Sequence, residues 1–418
     1  MSNWFVEPMK DEVPYSEILK KAENGEFHEW NFQPLDFQEN GYEDVIDEIK
    51  KYTAVDYLHL KELKEKAEKN GDKEAAQEYA DKMEEMVQAV MKIYRTKNIF
   101  PIQYFSEFGI LDEIAKCIAY KAEFDGDTVS CGAGIGTSLC NYLFPNLYDT
   151  PSAHDLDKEN ARSLFEKFHN DKYLRRAIEF CFGYKNGCPV PTSVTGGLRL
   201  VGSAPTNFRP MNAKAVYERF CPKGGVIYDY CCGFGGRLLG ALSSKNNYKY
   251  VGTDPCTETM YHLHQLGQYI EQVTGREDSY ELHCCGSEEF RGPKNSIDFA
   301  FSSPPYFNLE VYSDEPTQCF NKFPELEGWL EGFVRPTIQN IKHMLKPGKL
   351  YAVNIADFKV GSGKEVAYVD EWIRISTEEG MPLFDTVYLG VTARAGSAEQ
   401  AAGELKKENI LIFKKPLW

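Results

Sequence analysis

Two short stretches carry residue types that can do chemistry. The first is Ser303-Pro304-Pro305-Tyr306, which follows the apolar run Ile297-Asp298-Phe299-Ala300-Phe301-Ser302. Such a run predicts a buried parallel strand, and two prolines end it abruptly, leaving a hydroxyl and an aromatic ring at its carboxyl end. In open α/β sheets that end is where ligands bind. The prolines also fix φ, so the loop is stiff enough to aim a backbone carbonyl at a reacting atom. Taken alone, the tetrapeptide reads equally as an ordinary strand-ending turn, and a second stretch is what gives it weight.

That stretch is a short apolar strand, Gly225-Val226-Ile227-Tyr228-Asp229, a turn Tyr230-Cys231-Cys232-Gly233-Phe234-Gly235-Gly236, and a helix start at Arg237-Leu238-Leu239. Glycines at 233, 235 and 236 let the backbone come close to a ligand. The next strand ends Tyr250-Val251-Gly252-Thr253-Asp254, a carboxylate 18 residues after Gly236, where such folds grip the two hydroxyls of a ribose. Asp229 adds a carboxylate suited to a cationic amino group, which a dinucleotide site does not need before its glycines.

The elements that must position these residues follow from periodicity. From Val226 onward strands and helices alternate, ending in runs 385–391 and 410–414 that read as a terminal antiparallel hairpin. The pattern predicts an α/β fold, a doubly wound Rossmann-like and mainly parallel sheet. Before it the chain reads as mostly helical. Residues 1–40 form an aromatic arm with Trp4, Phe5, Trp30, Phe32 and Phe37. A charged helical hairpin follows from Tyr42 to Arg95, broken at Asn70-Gly71-Asp72, with further helices at Phe105–Tyr120, 155–169 and 171–182. A second glycine-rich run, Thr128 to Leu139, lacks a downstream strand ending in an acid and reads as a tight turn or helix cap. Between Gly183 and Arg209 the pattern dissolves into Gly, Pro, Ser, Thr and Asn, so the domain boundary is placed there, dividing 1–200 from 201–418.

The 418 residues include 42% hydrophobic and 13% aromatic residues, a globular composition with no apolar run long enough to span a membrane. No basic segment and apolar core follow Met1, so the expected location is the cytoplasm. Twelve cysteines sit at scattered spacings without a Cys-x-x-Cys pair, and no metal site is expected. Cys231-Cys232 and Cys284-Cys285 read as small buried hydrophobes. A net charge of −16 argues against a uniformly basic nucleic-acid binder while leaving room for a local basic groove.

With these residues in view, the run Asp229 to Gly236 resembles the first motif of S-adenosylmethionine-dependent DNA amino-methyltransferases, and Ser303-Pro304-Pro305-Tyr306 resembles their catalytic motif. Asn207-Phe208-Arg209-Pro210-Met211-Asn212-Ala213-Lys214 is similar to the segment that covers the methionine end of the cofactor in that family. Met344-Leu345-Lys346-Pro347-Gly348-Lys349 is similar to the turn before its fifth strand. The likeness spans residues 205–418.

The resemblance implies that Asp229, Cys231, Gly233 and Gly235 surround the methionine part of S-adenosylmethionine, that Asp254 holds the ribose, and that Phe208 packs against the cofactor. Where many members place an acid for the adenine amino group, this chain has Cys285-Gly286-Ser287-Glu288, so Ser287 is the expected contact and Glu288 its alternative. Ser303 Oγ and the Pro304 carbonyl would accept hydrogen bonds from the exocyclic amine of a cytosine or adenine and localise its lone pair. Tyr306 would stack on the flipped base, with Pro305 and Phe307 beside it. Ser303 favours cytosine N4 by family habit. DNA is the implied partner, with a second copy or a restriction enzyme as companion in a phage or mobile-element setting, and any sequence recognition falls to residues 1–200. Two alternatives stand beside this: methylation of RNA or of a protein glutamine, and a cofactor-binding scaffold without turnover.

Overall fold

The computed structural model describes residues 12–30, 42–132, 134–151, 162–184, 187–200, 205–307, 311–360, 364–391 and 406–417. Packing divides the chain into two compact units, each assembled from separated segments. One comprises 1–27, 110–146 and 206–418, the other 28–109 and 147–205. Segment 110–146 groups with 206–418 in the first unit.

The first unit is built on an eight-stranded sheet. Its strands are β1 (Thr128–Val129), β2 (Val226–Asp229), β3 (Lys249–Thr253), β4 (Tyr280–His283), β5 (Ile297–Ser302) and β6 (Leu345–Ile355). A separate short antiparallel pair, β7 (Phe358–Val360) and β8 (Lys364–Val366), precedes the last two, β9 (Leu383–Val391) and β10 (Lys406–Lys414). The order across the sheet is β1-β9-β10-β6-β5-β2-β3-β4. Only β10 runs antiparallel to its neighbours, so the fold is the Rossmann-like α/β arrangement expected from the alternation, and β9 with β10 is the expected terminal hairpin.

Why these strands are central is plain from their side chains. Ile227, Tyr228, Phe299, Ala300, Phe301, Ala352 and Val353 are all essentially sealed from solvent, as strands covered on both faces must be. The chain runs outward from β2 to β3 and β4, then returns to lay β5 on the other side of β2. Ile227 pairs with Phe299 and Tyr228 with Ala300. The sheet order therefore reverses between β2 and β5, and loops leaving their carboxyl ends diverge from a common point, the place where open α/β sheets bind ligands.

Two features of this unit come from far away in sequence. β1 lies outside β9, with Thr128 opposite Tyr388. The glycine-rich run that follows it serves as a helix cap. Gly136, at φ +73°, precedes helix Thr137–Leu143, and its N–H donates to Glu113 at 2.8 Å. The arm before helix Tyr15–Glu23 docks on the opposite edge. Val13 bridges to Cys284 just past β4, and His283 sits between Glu12 (2.9 Å) and Glu281 (3.0 Å).

The second unit is helical. Helices Ala54–Lys69 and Lys73–Lys97 form the expected hairpin, turned at Gly71 and restarted by Asp72, whose carboxylate accepts the Ala75 N–H at 3.0 Å. Trp30 packs among Phe100, Tyr148 and Phe165, so this part of the arm is aromatic core. Trp4, Phe5, Phe32, Phe37 and the expected helix over 155–161 lie outside the described residues. One expectation is overturned here: residues 191–200 form a helix, Pro191–Leu200, not a loop. Pro191 starts it, and a Cβ on Gly197 would lie 2.8 Å from the Ala177 carbonyl. The glycine that weakens the helical signal is what allows close packing on helix Asp171–Phe182.

Candidate functional site

Asp229 closes β2 and is fully buried. Its Oδ2 accepts from Arg237 Nε (2.9 Å) and from the Tyr250 hydroxyl (2.7 Å), and its Oδ1 accepts from Ser302 Oγ (2.7 Å), with a longer approach by the Cys231 N–H (3.4 Å). A carboxylate withdrawn from water is costly unless it is paired and hydrogen-bonded, and here a guanidinium and two hydroxyls do both. Its roughly four acceptor positions are taken by protein donors. Asp229 therefore differs from the expectation of an acid open to a ligand's amino group.

The turn after β2 shows three different reasons for glycine. Gly235 has φ +76°, and a Cβ there would meet Leu266 and Phe144 at 2.7 Å. A Cβ on Gly236 would fall 1.9 Å from the Phe208 carbonyl, so this glycine lets segment 207–208 lie across the loop. Gly233 has φ +53°, yet the nearest atom to its virtual Cβ is Arg237 Nη2, 3.9 Å away. The backbone there faces open space. Asn207 Nδ2 donates to the Phe234 carbonyl at 2.6 Å, and Phe208 sits edge-on to Phe301 and under the Arg237 guanidinium. Phe208 is thus beside the glycine turn.

Asp254 joins this turn to the end of β3. One oxygen accepts the Gly233 N–H at 2.9 Å and the other the Cys256 N–H at 3.0 Å. About half its acceptor positions have no donor among the described residues. Burial pushes its carboxyl from 3.8 up to about 6, against the two backbone donors that pull it down. Beyond it, Glu315 accepts the Thr257 N–H (3.0 Å) at the start of helix Thr257–Thr274 and pairs with Lys21 (3.3 Å). The segment after the Ser-Pro-Pro-Tyr loop is thereby pinned across the ends of β3 and β5.

Ser287 stands differently from its expected role. It is buried, and its hydroxyl is bonded to Thr337 Oγ1 at 2.9 Å. The neighbouring Glu288 carries the acceptor capacity. One oxygen pairs with Lys322, while Oε2 is buried without a partner among the described residues. Burial raises this carboxyl, and Lys322 opposes the rise.

β5 ends at Ser302, whose hydroxyl also reaches the Cys231 carbonyl at 3.1 Å. Ser303, Pro305 and Tyr306 are half-buried, while Pro304 and Phe307 are buried. The Tyr368 hydroxyl donates to the Pro305 carbonyl (3.3 Å), and the Tyr306 and Tyr368 rings lie 5.7 Å apart. Phe307 turns the chain at φ +44°, an uncommon conformation for a bulky residue, and is held against Trp329. The loop is thus fixed on an aromatic floor. Residues 308–310 lie outside the described residues.

The structure brings Asp229, Gly233, Asp254 and the 303–306 loop to one edge of the sheet. β2 and β5 are hydrogen-bonded neighbours, about 4.8 Å apart in such ladders. Burial pushes the Cys231 and Cys232 thiols well above their ordinary range, so neither is poised as a thiolate. Three residues of the site went unread in sequence: Arg237, Tyr250 and Ser302. The one available signal was Arg237, a charge in the first turn of the otherwise apolar Arg237-Leu238-Leu239-Gly240-Ala241-Leu242.

No family model matches the chain, and neither does any curated protein. Solved structures do. A SAM-dependent methyltransferase from Methanosarcina mazei is 14% identical over 49% of this chain and 98% of its own, with TM-score 0.34. The 1,6-didemethyltoxoflavin-N1-methyltransferase of Burkholderia thailandensis, with S-adenosylhomocysteine bound, is 11% identical over 49% and 76%, with TM-score 0.31. The [4+2]-cyclase SpnF is 15% identical over 50% and 82%, with TM-score 0.35. At these values the functional reading rests on the residues of the site itself.

Proposed function

We propose that this chain transfers a methyl group from S-adenosylmethionine to an exocyclic amino group of a DNA base, cytosine N4 or adenine N6. The observation that carries the reading is the junction of β2 and β5. A glycine turn with open space over Gly233, a carboxylate at the end of the next strand, and a rigid Ser-Pro-Pro-Tyr loop leave one sheet edge side by side.

The residues fit the cofactor. Gly233 offers a backbone approach with only the Arg237 guanidinium near its open side, and Asp254 keeps acceptor positions suited to two ribose hydroxyls. Glu288 follows Ser287 past the end of β4 and is the remaining carboxylate near the expected adenine position, although its Oε2 is sealed from solvent. When bound, the cofactor supplies an electrophilic methyl group on a sulfonium. Ser303 Oγ and the Pro304 carbonyl accept hydrogen bonds from the substrate amine, drawing its lone pair out of conjugation with the ring. Tyr306, braced by Tyr368, offers a face for the extruded base. Tyr368 holds the Pro305 carbonyl, so the loop needs no reorganisation during reaction.

A protein or RNA amide or amine is the second reading, and the net charge of −16 favours a protein substrate over nucleic acid. Among the described residues no helix is long and apolar enough to cross a membrane. Any base recognition falls, in this reading, to residues 1–200. Incubating the protein with methyl-labelled cofactor and separate DNA, RNA and protein fractions tests the reading. Label in DNA, recovered as N4-methylcytosine or N6-methyladenine by mass spectrometry, is the expected result. Label confined to another fraction, or no transfer by a protein that binds the cofactor, overturns it.

A further inference from the structure

Arg237 is a charged side chain built into the site, and neither the glycine turn nor the Ser-Pro-Pro-Tyr loop accounts for it. Only 4% of the residue is exposed. Its Nε donates to Asp229, its Nη2 donates to the Cys231 carbonyl, and its flat face lies over the Phe208 ring. Of the five N–H donors of a guanidinium, two are used, and the rest have no partner among the described residues. None of its nitrogens is among the sealed polar atoms that lack a partner, so the unused edge reaches accessible space. The position of that space follows from Gly233, where the nearest atom to a virtual Cβ is Arg237 Nη2 at 3.9 Å.

The unused donors give the kind of ligand. Asp229 balances the charge of the guanidinium and also accepts from Ser302 and Tyr250, while the guanidinium keeps N–H donors that this carboxylate and one carbonyl do not use. An acceptor is the missing complement, and a planar fork matches a carboxylate through two parallel hydrogen bonds. We infer that Arg237 is the residue that binds the α-carboxylate of the cofactor's amino-acid end, with Asp229 as the positioning residue that aims it. This rests on the reading of the site as an S-adenosylmethionine site and reassigns the role expected of Asp229. A fixed arginine beside a glycine turn holds the ligand through its unused N–H donors where Asp229 itself has no acceptor to spare.

The test compares S-adenosylhomocysteine with its decarboxylated analogue, which keeps the amine and loses the carboxylate, by calorimetric titration of the full chain. Wild type is expected to bind the analogue about 10- to 100-fold more weakly, the range of a charge-assisted pair. Arg237→Gln is expected to bind both ligands with affinities equal within about twofold, at the wild-type level for the analogue. Arg237→Lys keeps the charge beside Asp229 without the fork and is expected to recover part of the discrimination. If Arg237→Gln does not fold, the lysine variant decides. Equal affinity of wild type for both ligands, or an unchanged ratio in the variants, overturns the inference and leaves the methyltransferase reading standing. No binding of S-adenosylhomocysteine by wild type overturns both.

Discussion

Ser302 Oγ donates a 2.7 Å hydrogen bond to Asp229 Oδ1, tying the last residue of β5 to the last residue of β2. Strand pairing alone brings these ends close. The buried hydrogen bond sets their relative height, and with it the placement of the loop that starts one residue later at Ser303. A site divided between two loops is held in register by a contact that belongs to neither.

Removing that contact has a graded cost. Ser302→Ala leaves Asp229 with its arginine and tyrosine donors and is expected to lose about 1–2 kcal/mol of stability. Asp229→Ala strands a buried guanidinium and is expected to cost ~3–5 kcal/mol. Urea unfolding followed by near-ultraviolet circular dichroism measures both, and a larger loss for the serine variant would contradict this ordering.

Two glycines of the turn are expected to separate folding from binding. Gly235→Ala places a methyl against Leu266 and Phe144 and strains a left-handed residue, for a stability loss of about 1–3 kcal/mol. Gly233→Ala meets no such crowding and is expected to lose only ~1 kcal/mol from its positive φ. Its larger effect is on cofactor affinity, because the added methyl points into the open space. Thermal unfolding beside cofactor titration distinguishes the two.

The pH response follows from Asp254. Its folded-state carboxyl is raised from 3.8 to about 6 by burial, so the folded protein holds a proton that the unfolded chain has released. Its contribution to stability is fully present below pH ~4 and is lost as pH rises through about 6. Cofactor binding is expected to run the other way: on the proposed reading ribose hydroxyls donate to the ionised form, and affinity should rise through the same interval. Asp254→Asn is expected to flatten both profiles, as read by titrations between pH 5 and 8.

The Ser-Pro-Pro-Tyr loop should, on the proposed reading, separate chemistry from cofactor binding. Ser303→Ala and Tyr306→Ala are expected to abolish methyl transfer while cofactor affinity stays within about threefold, because the proposal places both side chains against the substrate amine and base. Tyr306→Phe keeps the stacking face and is expected to retain most activity. Parallel loss of binding in the alanine variants would place the loop in the cofactor site instead.

Much of the architecture was legible from pattern. Alternating apolar strands and amphipathic helices after Val226 specify a doubly wound sheet, Asn70-Gly71-Asp72 breaks a helical hairpin, and the last two strands pair as expected. Helix Pro191–Leu200 was hidden because Gly196-Gly197 reads as a loop, and only the nearness of Ala177 explains the second glycine. The short strand at Thr128-Val129 was legible, but its place in the sheet was not, because its partner β9 lies about 260 residues away in the chain.

The sequence by itself determined which residue types stand where strands end: a carboxylate before a glycine turn, a second after the next strand, and a proline-stiffened hydroxyl after another. Local chemistry suffices for that, because turns, strand ends and glycine requirements are written within a few neighbouring residues. Only the tertiary structure decided what each carboxylate faces. Asp229 is sealed by Arg237, Tyr250 and Ser302, Ser287 is spent on Thr337, and Asp254 keeps acceptors to offer. Burial and hydrogen-bond partners come from strands and helices that are distant in the chain and adjacent in space, and these, more than residue type, set whether a polar group serves the fold or a ligand.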